Sequence, residues 1–207
     1  MDVDIEEMLD RLGTVIGPPP AGGVVPVPWE LGPEVLGFQL PADYRAFADR
    51  YGRVSISDEL HIYTPSAAPG LEIAQPLGFE GFLYLTTDPY GYCGSLGQAY
   101  LDGDYDECPY PMFPAEGGLL NWGNNGNADH FFWLMRGPDP DRWPVAAAFN
   151  SMREWDLFEG GFLEFLLAAV TKQYPDHGAV VPGGMKEIGD GRGYRFRGDW
   201  SKQLGWQ

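Results

Sequence analysis

The chain has little positive charge, little cysteine and little histidine, and it has no long apolar run. Thirteen Lys and Arg stand against 30 Asp and Glu, a formal net charge of -17. A surface of that sign repels phosphate backbones and anionic lipid, which argues against binding nucleic acid or an anionic membrane and in favour of a basic partner. Solubility alone is the plainer explanation of the same charge. No apolar stretch approaches the ~20 residues that span a bilayer. The opening MDVDIEEMLD is acidic where a secretory signal is basic and then apolar, so the expected location is the cytoplasm.

Only two cysteines occur, Cys93 and Cys108, too sparse for a disulfide scaffold and without metal-ligand spacing. They read as reduced thiols, with a single bridge in an oxidising compartment as the alternative. GYCGS around Cys93 has the glycines of a nucleophile turn, but no strand, helix or oxyanion motif frames it. His61, His130 and His177 form no signature with either thiol. Asp102, Asp104 and Asp106 have the alternate spacing of a calcium loop. Position six is Glu107 instead of Gly and position twelve is Phe113 instead of Glu, which excludes an EF-hand. GMKEIGDGRG near the C-terminus is glycine-rich but lacks the flanking strand and helix of a phosphate loop. Nothing singles out a catalytic carboxylate pair among 30 acids, so the expectation is a protein that is not an enzyme and has no cofactor and no metal.

What is present is a globular composition, 44% hydrophobic and 14% aromatic over 207 residues, enough for one sizeable core. Ile5, Met8, Leu9 and Leu12 fall at i, i+3, i+4 and i+7 and predict an amphipathic helix with acids in its first turn. Gly17 to Pro28 holds five prolines and three glycines and predicts an extended arm. Tyr44, Phe47, Ala48 and Tyr51 share one face of a helix that begins near Pro41 and stops at Gly52. Glu59 to Thr64 alternates as a half-buried strand, with Leu60 and Ile62 inward and His61 and Tyr63 outward. Phe82 to Thr87 reads as a further strand, and Ser95 to Leu101 as a short helix or turn.

The densest stretch is Phe113 to Met135. Leu119, Leu120 and Trp122 form one apolar run, Phe131 to Leu134 a second, and Gly123 to Asp129 lie between them as a glycine- and asparagine-rich turn. That pattern predicts a hairpin. Adjacent strand residues face opposite ways, so at least one of Phe132 and Trp133 is a core residue. Trp122 reads as core, Asn124, Asn125 and Asn127 as partners of the turn's own backbone, and Asp129 and His130 as exposed at the hairpin mouth. Trp143 to Phe149 and Glu154 to Phe158 add strands. Phe162, Phe165, Leu166, Ala169 and Val170 on one face, widened by Leu163 and Leu167, predict a mostly buried helix from Gly161 to about Gln173.

Three blocks, LPADYRAF at 40–47, GGLLNWG at 117–123 and FFW at 131–133, occur in an order and spacing that resemble the SUKH superfamily, the Smi/Knr homology domain. The resemblance covers roughly Trp29 to Tyr63 and Phe113 to Gln173. Pro33, Asn125 and Ala128 depart from the usual pattern, and a left-handed backbone at Ala128 would be strained. The resemblance implies an α+β fold, a mainly antiparallel twisted sheet packed against N-terminal and C-terminal helices. It makes residues 1–173 the domain, with residues 1–28 as helix and arm and residues 65–112 as a variable insert. Residues 174–207 form a basic extension, an added edge strand or a tail, with five of the 13 Lys and Arg in the last 22 residues. Up to Met185 the body carries 27 acids against 8 bases.

The function implied is that of an immunity protein of a bacterial polymorphic toxin system, binding and neutralising a basic, nuclease-type toxin domain. The alternative is a regulatory or scaffolding module that binds a housekeeping protein or small ligand. The partner-binding candidates are Asp102, Asp104, Asp106 and Glu107 in the insert, with Asp129 and His130 at the hairpin mouth.

Overall fold

In the computed structural model the described residues are 4–65, 78–87, 109–149, 152–187 and 192–196. Helix α1 (Ile5–Ile16) starts where the Asp4 carboxylate accepts from the N–H groups of Glu6 and Glu7, and it buries Met8, Leu9, Leu12 and Ile16, the predicted face lengthened by one turn. The arm that follows has no helix, as its prolines require, until a 3-10 turn at Trp29–Leu31 leads into α2 (Gly32–Leu36). Pro33 sits in the first turn of α2, where no N–H is needed, and Gly37 ends it at φ 85°. Helix α3 (Ala42–Tyr51) follows Pro41 and buries Tyr44, Phe47, Ala48 and Tyr51, the four residues predicted to share a face.

Among the described residues seven strands form one sheet: β1 (Val54–Ile56), β2 (Leu60–Ile62), β3 (Leu119–Asn124), β4 (His130–Leu134), β5 (Val145–Phe149), β6 (Glu154–Phe158) and β7 (Tyr194–Phe196). The order is β6-β5-β4-β3-β2-β1-β7 and every neighbouring pair is antiparallel. The predicted central hairpin is therefore β3–β4, with β3 in the middle. A bulge between Asn121 and Gly123 inserts Trp122, which stacks on Phe131 at 5.4 Å and meets Phe162 edge-on at 5.0 Å. Gly123 is required there, because a Cβ would lie 2.6 Å from the His61 carbonyl oxygen on β2.

Helix α4 (Gly78–Thr87) corrects the expectation of a strand over Phe82 to Thr87. The β-prone composition is overridden by spacing. Phe79 and Phe82, three apart, both bury, Phe79 against Trp29 and Phe82 against Tyr44. Strand β1 is an addition to the predicted elements. Its hairpin to β2 turns through Ser57 and Asp58 at φ 56° and 59°, without the glycine that advertises such turns. Tyr63, expected to face outward, is buried, and the Tyr44 hydroxyl donates to its carbonyl.

Helix α5 (Phe162–Val170) buries eight of its nine residues and packs with α1 and α3 against one sheet face. Phe132 and Trp133 are both fully buried, on opposite faces. Trp133 joins the main core under the helices, and Phe132 joins a second cluster with Leu119, Leu134, Ala146, Ala148 and Met152. The described part of the C-terminal region is built into the fold. Val180 and Val181, in and after the short helix α6 (His177–Val180), belong to the core, and β7 extends the sheet at β1, the edge-strand form of the two expectations. Gly193 donates to the carbonyl of Ile16 and the Tyr194 hydroxyl to that of Pro18, tying this strand to the start of the arm.

Candidate functional site

The hairpin mouth is closed rather than open. Asn125 accepts at Oδ1 from the N–H groups of Asn127 and Asp129, both at 3.0 Å, so an asparagine satisfies the turn's own backbone as its type predicts. Its Nδ2 donates to the Asp129 carboxylate at 3.0 Å and to the Ala179 carbonyl at 2.6 Å. This places α6 over the base of the turn and leaves only Gly126, Asn127 and Ala128 exposed. Ala128 adopts φ 61°, the left-handed conformation that an alanine disfavours.

The expected exposure of Asp129 and His130 is overturned: Asp129 is 4% and His130 5% exposed. Asp129 is turned inward by its contacts with Asn125. His130 starts β4, opposite Asn124 on one side and Ala148 on the other, with its ring 6.2 Å from that of Phe132. Neither offers a partner much surface. Asp102, Asp104, Asp106 and Glu107 lie outside the described residues, as do Cys93, Cys108 and the helix or turn expected at Ser95 to Leu101.

His130 belongs to a polar row across the sheet face opposite the main core. The register sets Ser55 beside His61, His61 beside Asn124, and Asn124 beside His130. Ser55 Oγ and His61 Nδ1 are 2.8 Å apart, but Ser55 is fully buried and closed to a substrate. Burial pushes the His130 imidazole down to about 4, so it is neutral at neutral pH, and its Nδ1 has no hydrogen-bond partner among the described residues. Among the same residues no three His, Cys, Asp or Glu side chains are grouped to hold a metal ion.

The DYR block of the sequence is likewise occupied with structure. Asp43 accepts from the N–H groups of Tyr44 at 2.7 Å and Leu163 at 2.9 Å, and Arg45 Nε donates to the Leu40 carbonyl at 3.0 Å. Desolvation raises the Asp43 carboxyl above its ordinary range, and nearby Asp141 and Glu164 add to this, against the lowering effect of its two backbone donors.

The accessible acids are elsewhere. On α1, Glu6 and Asp10 face Arg50 at 3.5 and 2.9 Å, with Glu7 exposed beside them. On the edge strand β6, Glu154 and Asp156 are exposed in alternate positions. The alternation of EWDLF was visible in the sequence, but its place at the edge was not. No family model matches the chain, and neither a curated protein nor a solved structure matches it. No described helix is long and apolar enough to cross a membrane.

Proposed function

We propose that this chain is a non-enzymatic immunity protein with a SUKH-like fold, which binds and neutralises a basic toxin domain of the nuclease kind in the cytoplasm. The observation that carries the reading is the charge, -17 overall, with 27 acids against 8 bases up to Met185. A nuclease cleft is basic because it holds phosphates. An acidic protein is steered to such a cleft at rates that fall with salt, and it excludes nucleic acid by occupying the same field. The resemblance of LPADYRAF, GGLLNWG and FFW to the SUKH superfamily points the same way. In this reading the contact surface is drawn from exposed acids, with Asp102, Asp104, Asp106 and Glu107 as one candidate set.

The test uses the tagged full chain as bait in extracts of its own cells, with the bound protein identified by mass spectrometry. The expected result is a basic protein retained at low salt and released at high salt. Growth arrest on expressing that protein should be relieved by co-expressing this chain. Capture of an acidic or non-toxic protein, or a toxic partner whose arrest is not relieved, would overturn the reading. Reversing the charge of the four insert acids should weaken capture and flatten its salt dependence.

A further inference from the structure

The sheet has an edge whose side chains define what could be added to it. Strand β6 pairs on one side with β5, through Val145↔Phe158, Ala146↔Leu157, Ala147↔Asp156 and Ala148↔Trp155. Among the described residues it is the last strand on that side, and none of them pairs with its outer edge. All of β5 is buried, whereas β6 alternates, with Glu154 and Asp156 exposed and Trp155, Leu157 and Phe158 half-buried. A strand edge presents N–H and C=O groups at a fixed spacing, and an extended segment of another chain can satisfy them.

The two faces at this edge differ in chemistry. Glu154 and Asp156 lie with Phe158 on the α5 side, paired with Phe149, Ala147 and Val145 of the main core, and the acid Glu159 is exposed directly after the strand. Arg153 flanks the strand, and Arg136 pairs with Glu159 at 3.3 Å. The other face carries Trp155 and Leu157, packed at the margin of the second apolar cluster, with the Trp155 ring 5.8 Å from that of Phe132. An incoming strand therefore meets carboxylates at alternate positions on one face and apolar groups at alternate positions on the other.

We infer that the outer edge of β6 is the docking site for an extended segment of the basic partner, with cationic and apolar residues in alternation, bound as an eighth strand. This rests on the reading that the chain binds a basic protein. Charge favours a cationic strand over a second copy as the occupant. Two-fold antiparallel pairing of β6 with itself centred on Glu154, Trp155 or Asp156 sets two of these carboxylates directly opposite each other, which destabilises a ladder, and pairing centred on Leu157 or Phe158 sets Asp156 opposite a residue with no charge to meet it. A cationic strand meets the same carboxylates with the opposite charge.

The experiment titrates the full chain with a fluorescent peptide of sequence Lys-Val-Lys-Ile-Lys-Val, blocked at both ends. Controls are a peptide of the same composition in block order, Lys-Lys-Lys-Val-Ile-Val, and two versions of the alternating peptide N-methylated at alternate residues in each of the two registers. The alternating peptide is expected to bind tighter than the block peptide, and N-methylation is expected to abolish binding in one register and spare it in the other. The variant E154K/D156N, in which the amide oxygen replacing the Asp156 carboxylate can still accept from the Tyr174 hydroxyl, should bind the alternating peptide about tenfold more weakly with unchanged circular dichroism. Equal binding of alternating and block peptides, indifference to N-methylation, or no binding at all would overturn the edge assignment. Capture from cell extracts then separates the two claims. A basic partner held equally by wild type and E154K/D156N leaves the basic-partner reading standing and the edge wrong, and failure to capture any basic partner removes both.

Discussion

The carboxylate of Asp43, on α3, accepts a hydrogen bond from the backbone N–H of Leu163 at 2.9 Å, across 120 residues of chain. The residue at the N-cap of α5 is Gly161, which has no side chain to cap with. Asp43 supplies the missing oxygen from another helix, while Glu164 reaches back to the Gly161 N–H at 3.0 Å. The contact fixes α3 and α5 to each other over the sheet.

Replacing Asp43 by Ala should cost about 1–2 kcal/mol, the size of a lost cap, and lower the melting temperature by roughly 2–4 °C for each kcal/mol. A Cβ on Gly161 would lie 2.9 Å from Asp43 Oδ2, so Gly161→Ser should destabilise the wild type. In the Asp43→Ala background that obstacle is gone and the serine can cap α5 itself. The double variant should therefore be more stable than Asp43→Ala alone, a reversal of sign that urea melts of the four proteins would detect.

Asn125 holds the hairpin mouth through both ends of its amide. Asn125→Ala should cost about 2–4 kcal/mol, since it strips partners from buried backbone groups and from Asp129. Asn125→Asp keeps the acceptor for the two N–H groups but turns the other end from a donor into a second carboxylate oxygen, facing Asp129 and the Ala179 carbonyl. At neutral pH it should be no more stable than Asn125→Ala, as chemical denaturation of the pair would measure.

Ala128 at φ 61° carries strain that glycine would not. The left-handed conformation costs an alanine about 1–2 kcal/mol, and glycine loses part of that advantage through the entropy of its unfolded chain. Ala128→Gly should raise stability by about 0.5 kcal/mol with no change in the burial of Asp129, readable as a higher urea midpoint at unchanged slope.

His130 makes stability depend on pH. Its folded pKa is about 4 against an ordinary 6.5, so between these values the unfolded chain binds the proton and the folded chain does not. The contribution is intact above about pH 6.5 and is lost as pH falls towards 4, by up to about 3 kcal/mol. Denaturation at pH 7 and pH 4.5 should show the drop in the wild type and a smaller one in His130→Gln.

Where apolar spacing is regular, the fold was legible. The faces of α1, α3 and α5 and the strands β3 to β6 lie where period and turn residues put them. Phe82 to Thr87 misled because its Phe, Leu, Tyr and Thr favour a strand, while the i, i+3 contacts of Phe79 and Phe82 required the helix. β1 is not legible in the sequence because Ser57 and Asp58 take up left-handed backbone without a glycine. The candidate site was less legible. Asp129 and His130, polar and next to a turn, have the composition of an exposed loop, and nothing in their neighbourhood announces α6, which covers the turn from some 50 positions downstream.

The sequence by itself determined the acidity of the surface, the α+β alternation of elements and the central hairpin, because charge count, apolar period and turn chemistry are properties of neighbouring residues. Tertiary structure decided which polar residues meet solvent, that Asp43 caps a helix 120 positions away, and that Glu154 and Asp156 stand exposed on the last described strand of the sheet. Burial and pairing depend on what the rest of the chain brings to a residue, and no local pattern encodes that.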